Sequence, residues 1–173
     1  MARNVEIKAR VTDLAEVEAS ARAVADQGPF ELRQDDTFFA CPGGRLKLRE
    51  LAPDEGQLIY YERADVAGPK LSSYFIAPTH DPAALRDTLG RALSVIGRVR
   101  KRRRLYLAGT TRIHLDEVEG LGTFVELEVV LADTGAVADG ARIARDLLRE
   151  LGVPDGNLVE GAYLDLMSEK PSI

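Results

Sequence analysis

The chain has 173 residues, 45% of them apolar and 29% charged, with a net charge of −5. That size and apolar share suit one domain spanning 1–173 with a sizeable core, and the acidic balance speaks against a global attraction to nucleic acid or anionic membranes. A lone Cys41 excludes an intramolecular disulfide and a multi-cysteine zinc site; the polar start carries no signal pattern, no apolar run approaches the ~20 residues of a bilayer span, and a cytoplasmic setting is expected.

The first predicted element is a strand over roughly 3–11, where Asn4-Val5-Glu6-Ile7-Lys8-Ala9-Arg10 alternates with a period of two. A helix follows: Asp13 and Glu16 give a capping-box-like start, and Leu14, Val17, Ala21 and Val24 recur at helical spacing. Gly28 and Pro29 are expected to end it. Residues 31–40 read as a strand, and Cys41-Pro42-Gly43-Gly44 as a tight turn. Residues 45–63 read as a hairpin about the turn Pro53-Asp54-Glu55-Gly56, and a strand near 70–76 comes next. Asp81-Pro82 marks a second helix running to about Val95. Strands near 98–107 and 111–118 flank Ala108-Gly109, and the loop Gly120-Leu121-Gly122 leads into strand 123–131. A third helix over about 138–151 stops at Gly152 and Pro154, and a short helical tail carries Tyr163, Leu164 and Leu166. About eight strands and three main helices predict an α+β protein built on an antiparallel sheet.

Three distant segments, 4–10, 45–49 and 124–128, put charges on one face and apolar residues on the other. Repetition of that pattern predicts an eight-stranded antiparallel β-barrel with a polar, charged lumen and flanking helices over its apolar outside. By parity the inward set is Asn4, Glu6, Lys8 and Arg10; Arg45, Lys47 and Arg49; Arg63; Lys101 and Arg103; Arg112, His114 and Asp116; and Glu126 and Glu128, with Asp36 as a further carboxylate. Arginine grips phosphate oxygens bidentately and lysine acts as a point charge, so such a lumen suits a polyanion. Carboxylates alone would repel phosphate, which implies bound cations; Mg2+ or Mn2+ shared between carboxylates and substrate phosphates fits that chemistry.

Plainer readings compete with these. An alternating charged strand is ordinarily a solvated face. The basic run from Arg98 to Arg104 suits nucleic acid, but no aromatic platform interleaves it, and half of it can be an exposed strand face. His114 can act as a general base or simply be a polar strand histidine. Tyr60, Tyr61, Phe38 and Phe39 can stack on a base or pack in a core.

At these residues the sequence resembles the CYTH superfamily, the triphosphate tunnel metalloenzymes, best known from class IV adenylyl cyclases and thiamine triphosphatases. The family's Glu-x-Glu-x-Lys signature reads Asn4-Val5-Glu6-Ile7-Lys8. The likeness continues through Asp35-Asp36-Thr37-Phe38-Phe39, Arg45 to Arg49, Tyr61-Glu62-Arg63, Val99 to Arg103, and Leu115 to Glu128, and ends at Ala162 to Leu166. It implies a divalent metal, Mg2+ or Mn2+, held by Glu6, Asp116, Glu126 and Glu128. It implies phosphate contacts from Lys8, Lys47 or Arg49, Arg63, Lys101 and Arg103; Arg112, of inward parity, is expected to join both Lys47 and Arg49 in binding substrate, and Lys8, Arg63 and Glu126 are the expected catalytic residues. The opening Asn-x-Glu-Ile-Lys-Ala-Arg is most similar to the class IV adenylyl cyclase branch. ATP is then the expected substrate, cyclized with release of pyrophosphate. Hydrolysis of thiamine triphosphate, inorganic triphosphate or a nucleotide is the first alternative, and triphosphate or polyphosphate binding without turnover the second. No membrane or nucleic-acid partner is expected, and the resemblance makes a homodimer plausible. Asn4 departs from the signature: its amide offers a carbonyl oxygen to a metal but no negative charge.

Overall fold

Strand alternation makes the barrel. The computed structural model describes residues 1–168. Its strands are β1 (Ala2–Arg10), β2 (Gln27–Phe39), β3 (Arg45–Ala52), β4 (Glu55–Arg63), β5 (Lys70–Thr79), β6 (Val95–Ala108), β7 (Thr111–Val118) and β8 (Gly122–Val130). They close in the order β1-β5-β4-β3-β2-β6-β7-β8, with β8 returning to β1. Every neighbouring pair is antiparallel. Closure leaves no long edge for another chain to extend.

The hydrophobic core lies outside this barrel. Val5, Ile7 and Ala9 of β1, Ile113 and Leu115 of β7, and Val125 and Leu127 of β8 are fully buried on the outer face. Two helices cover them. Helix α1 (Leu14–Val24) contributes Leu14, Val17 and Ala21, and α3 (Val137–Glu150) contributes Ala144 and Leu148. Each large aliphatic side chain buried there contributes roughly 1.5–3 kcal/mol. Helix α3 comes so close to β1 that a Cβ on Gly140 would stand 2.8 Å from Val5 Cγ2. Helix α1 starts as its sequence predicts, with Asp13 Oδ1 accepting from the backbone N–H of Ala15 and Glu16 at 3.0 Å each. Helix α2 (Pro82–Ala92) is capped by Asp81, whose Oδ1 accepts from Ala84 N at 2.9 Å.

Three boundaries differ from expectation. Gly28 and Pro29 do not stop α1; the helix ends at Val24, and both residues belong to β2. Gly28 holds φ +114 at a register shift against β6, so the bend is a bulge inside a strand. Helix α2 stops at Ala92 rather than Val95, which instead opens β6 opposite Phe39. Strand β5 runs on through Pro78 to Thr79. Past Tyr74 it pairs with β4 but not β1, a one-sided position where proline is tolerated. The helical tail forms as α4 (Tyr163–Ser168), which packs on β6.

Candidate active site

The lumen holds a cavity of about 440 Å³, the size of a small-molecule site. Among the described residues, all seven cations expected to bind phosphate line it: Lys8, Lys47, Arg49, Arg63, Lys101, Arg103 and Arg112. Four carboxylates join them, Glu6, Asp36, Glu126 and Glu128. The lining is therefore cationic although the chain is acidic. Strand parity accounts for this: on β6, Lys101 and Arg103 face inward while Arg98 and Arg100 point outward to Asp35. The basic run is thus split between lumen and outer face.

The charges fall into two interlinked groups. A basic wall stands on β3 and β6, with Asp36 of β2 at its centre. Asp36 Oδ1 accepts from Arg49 Nε at 2.8 Å; its Oδ2 accepts from Arg49 Nη2 at 2.8 Å, Lys101 Nζ at 3.0 Å and Lys47 Nζ at 3.2 Å. Burial opposes the charge of Asp36, but Arg49, Lys101 and Lys47 hold it well below the usual carboxylate range. Burial together with Arg49 lowers Lys47 to about 7, against the pull of Asp36. Burial, with Arg49 and Arg103 adding repulsion, lowers Lys101 to about 8.

The acidic wall stands on β1 and β8. In the register, Glu6 faces Glu128 and Lys8 faces Glu126. Glu126 meets Lys8 Nζ at 3.2 Å on one oxygen and Arg103 Nη2 at 2.9 Å on the other. Burial opposes ionization of Glu126, yet Lys8, His114 and Arg103 keep it well below its ordinary range. Glu6 moves the opposite way, raised by burial and by Glu126 despite its ion pair with Arg63. Glu128 accepts from Arg112 Nη1 at 3.1 Å.

Asp116, which the resemblance implies as a metal ligand, is engaged by neighbours in this structure. It does not line the cavity and is fully buried. Arg103 takes both its oxygens, Nε at 2.7 Å and Nη2 at 2.6 Å, and Tyr163 Oη donates to Oδ2 at 2.7 Å. Arg10 and Arg45, two of the inward-parity cations, also lie off the cavity lining. Arg10 donates to Leu121 O at 2.8 Å, and Arg45 is bound by Asp65 and Asp165.

Sequence parity of the charged residues missed several uncharged contributors. Tyr163 enters from α4, and its ring lies 4.1 Å from Lys8 Nζ. Gln34, Ser72 and Tyr74 line the lumen, and Leu32, Leu51, Ile76 and Leu105 make part of its wall apolar. For those on strands the signal was strand parity itself, applied to uncharged positions; Tyr163 lies on a helix, and only the likeness at Ala162 to Leu166 touched it.

Four buried polar atoms have no hydrogen-bond partner among the described residues: Asn4 Oδ1, Gln34 Oε1, Arg63 Nε and His114 Nδ1. All four residues line this cavity. Unsatisfied buried polar groups cost about 1–3 kcal/mol each, so their convergence marks a place built for a ligand. Donor atoms of His114, Glu126 and Glu128 lie within 4.8 Å of one another, a set whose chemistry suits a divalent ion once Glu126 is released from Lys8 and Arg103, and Asn4 also lines the cavity.

A closed antiparallel barrel of eight strands, with opposed acidic and basic walls inside, defines the triphosphate tunnel fold. Residues 2–163 match the CYTH domain, and the chain belongs to that family. It is 28% identical over 180 residues to adenylate cyclase CyaB of Aeromonas hydrophila, across 95% of this chain and 88% of that protein. The solved structure of PH1012 from Pyrococcus horikoshii superposes with a TM-score of 0.83 at 24% identity, covering 94% of this chain and 98% of that one. HpAC1 from Hippeastrum, described as having a dominant triphosphatase activity, shares the fold at a TM-score of 0.63 and 18% identity, covering 98% and 97%. Among the described residues no helix is long and apolar enough to cross a membrane.

Proposed function

We propose that this protein is a divalent-metal-dependent enzyme that binds ATP in its tunnel and converts it to cyclic AMP and pyrophosphate. The observation that carries the reading is the cationic lining opposite a carboxylate wall, in one cavity large enough for a nucleotide. Full-length similarity to a protein named adenylate cyclase supports the cyclase reaction. The apolar lining residues Leu32, Leu51, Ile76 and Leu105 support an organic triphosphate over an inorganic one, because they offer apolar surface to a base.

In this reading Lys47, Arg49, Lys101, Arg103 and Arg112 cradle the phosphates. Lys8 on β1 and Arg63 on β4 stabilize charge that builds on the reacting phosphoryl group. Glu6, Glu126 and Glu128 hold Mg2+ or Mn2+, and Asp116 fixes the plane of the Arg103 guanidinium. When bound, the ion supplies charge neutralization and polarization of phosphoryl oxygens. Cyclization requires the ribose 3′-hydroxyl to attack the α-phosphorus as pyrophosphate leaves.

HpAC1 lends a second reading its support: the same fold there carries a dominant triphosphatase activity, in which water attacks the terminal phosphorus. One assay separates the two. Purified protein is incubated with ATP, thiamine triphosphate or tripolyphosphate, each with Mg2+ or Mn2+. Cyclic AMP with equimolar pyrophosphate is expected. Orthophosphate without cyclic AMP would replace the cyclase by a triphosphatase, and tight binding without any product would replace both by a binding protein. Glu126→Gln is expected to abolish metal-dependent turnover; retained turnover would remove Glu126 from the site.

A further inference from the structure

The acidic wall contains a nitrogen donor that the reading above leaves unused. His114 stands on β7 opposite Glu126 of β8. It is 4% exposed, and its Nδ1 makes no well-formed hydrogen bond among the described residues. That atom lies 3.5 Å from Glu126 Oε2 and 3.8 Å from Glu128 Oε1, too far for good hydrogen bonds. Two donors bound to one ion at roughly 2.1 Å stand at most about 4.2 Å apart, so these separations suit a shared ion. The orphaned Asn4 Oδ1 is a further neutral oxygen donor on β1, the strand beside β8.

We infer that His114 coordinates the tunnel's divalent ion through Nδ1, together with Glu126 and Glu128, and that this mixed nitrogen–oxygen site selects first-row transition ions over Mg2+. The inference rests on reading the tunnel as a metal-dependent triphosphate site. Its chemistry follows from the donors. Mg2+ prefers oxygen and keeps its waters, so it gains little from imidazole. First-row transition ions gain from a nitrogen ligand in the Irving–Williams order. The neutral donors Asn4 and His114 also withhold negative charge, which weakens a site for Mg2+ more than for a softer ion.

The test uses Mn2+ as the probe on the purified full chain without nucleotide. Pulsed electron paramagnetic resonance of the Mn2+-loaded wild type is expected to show coupling to a directly bound imidazole nitrogen. Calorimetric titration is expected to give at least tenfold tighter binding of Co2+ than of Mg2+, since Co2+ gains more from the imidazole. His114→Asp, which restores charge and supplies only oxygen, should lose the nitrogen coupling and narrow that preference. A wild-type spectrum without nitrogen coupling, or failure to bind Mn2+, overturns the inference, and neither result depends on any variant folding. Its fate is separable from that of the enzymatic reading. Nitrogen coupling without turnover of any triphosphate keeps the metal site and ends the enzyme; turnover with an all-oxygen ion does the reverse.

Discussion

Asp36→Asn tests the central claim about the basic wall, that one buried carboxylate holds three cations in place. The substitution keeps the shape of the side chain and removes the charge that faces Lys47, Arg49 and Lys101. Asp36 and Lys101 are each 2% exposed at the side chain, so water cannot take the carboxylate's place. Removing one partner of a buried ion pair costs about 3–5 kcal/mol. At this chain length each kcal/mol moves the midpoint by about 2–4 °C, so the variant should melt roughly 6–20 °C lower. The deficit should also depend on pH. In the wild type Lys47 sits at about 7 and Lys101 at about 8, both below an unfolded lysine. Without Asp36 both fall further, because the group that raised them is gone. Wherever the unfolded chain binds more protons than the native one, stability rises with pH. The variant enters that regime at lower pH than the wild type. The deficit is therefore largest near pH 5, shrinks as the variant's lysines neutralize, and levels off above about pH 8, where both proteins gain stability together. Urea unfolding at pH 5, 6.5 and 8.5 measures it. A variant within about 1 kcal/mol of wild type at pH 5, or a deficit that widens toward pH 8, refutes this account of the wall.

The same lysines govern ligand binding. Tripolyphosphate should bind with proton uptake at pH 8, and its affinity should fall between pH 6.5 and 9 by up to about tenfold per unit for each titrating lysine; calorimetry in buffers of different ionization heat detects the uptake, and its absence contradicts the lowered lysines. Tyr163→Phe removes the hydroxyl that donates to Asp116 and should cost about 1.5–3 kcal/mol, while Arg103 keeps both carboxylate oxygens occupied; an unchanged melting point would mean that the contact contributes nothing. Gly140→Ala sets about 1 kcal/mol of helix propensity gained against about 1–3 kcal/mol of overpacking on Val5 and Leu131; the net is expected to be a loss, and a stabilized variant would show that α3 can shift outward freely.

The barrel was legible in the sequence because one rule, alternation, decides both which strands exist and which residues face inward. Glu6, Lys8, Lys47, Arg49, Lys101, Arg103, Glu126 and Glu128 follow from it directly. The rule fails where the decisive fact is not periodic. Asp36 and Asp116 have the inward parity of the other carboxylates, yet Asp36 serves the basic wall and Asp116 lies behind Arg103. Only the positions of their partners on β3, β6 and α4 reveal these pairings. Local breaker signals misled in the same way. Gly28 and Pro29 look like the end of a helix, but pairing of β2 with β6 captures them, and Ala25 closes the helix by donating to Ala21 O at 3.0 Å. Val95 fits a helical pattern, but its pairing opposite Phe39 places it in β6.

Stability and function are divided between the two faces of one sheet. The outer face of β1, β7 and β8 packs Val5, Ile7, Leu115 and Leu127 under two helices, where burial is favourable without any ligand. The inner face is costly by comparison. It buries cations that must be held by fewer carboxylates, and it leaves four polar atoms unpartnered. Glu126 shows the consequence. In the free protein it carries both Lys8 and Arg103, one on each oxygen. A carboxylate so occupied cannot also serve an ion fully, and those two cations are the ones best placed to turn to phosphate. Arrival of an anion and a divalent ion together relieves both constraints: phosphate takes the cations, and the freed carboxylate oxygens face the metal. Either ligand alone leaves one wall without partners. Binding of triphosphate and metal is therefore expected to be mutually reinforcing, each raising the affinity for the other by the same factor. Titrating tripolyphosphate with and without Mn2+ measures that factor, and a value of one would mean that the two walls act independently.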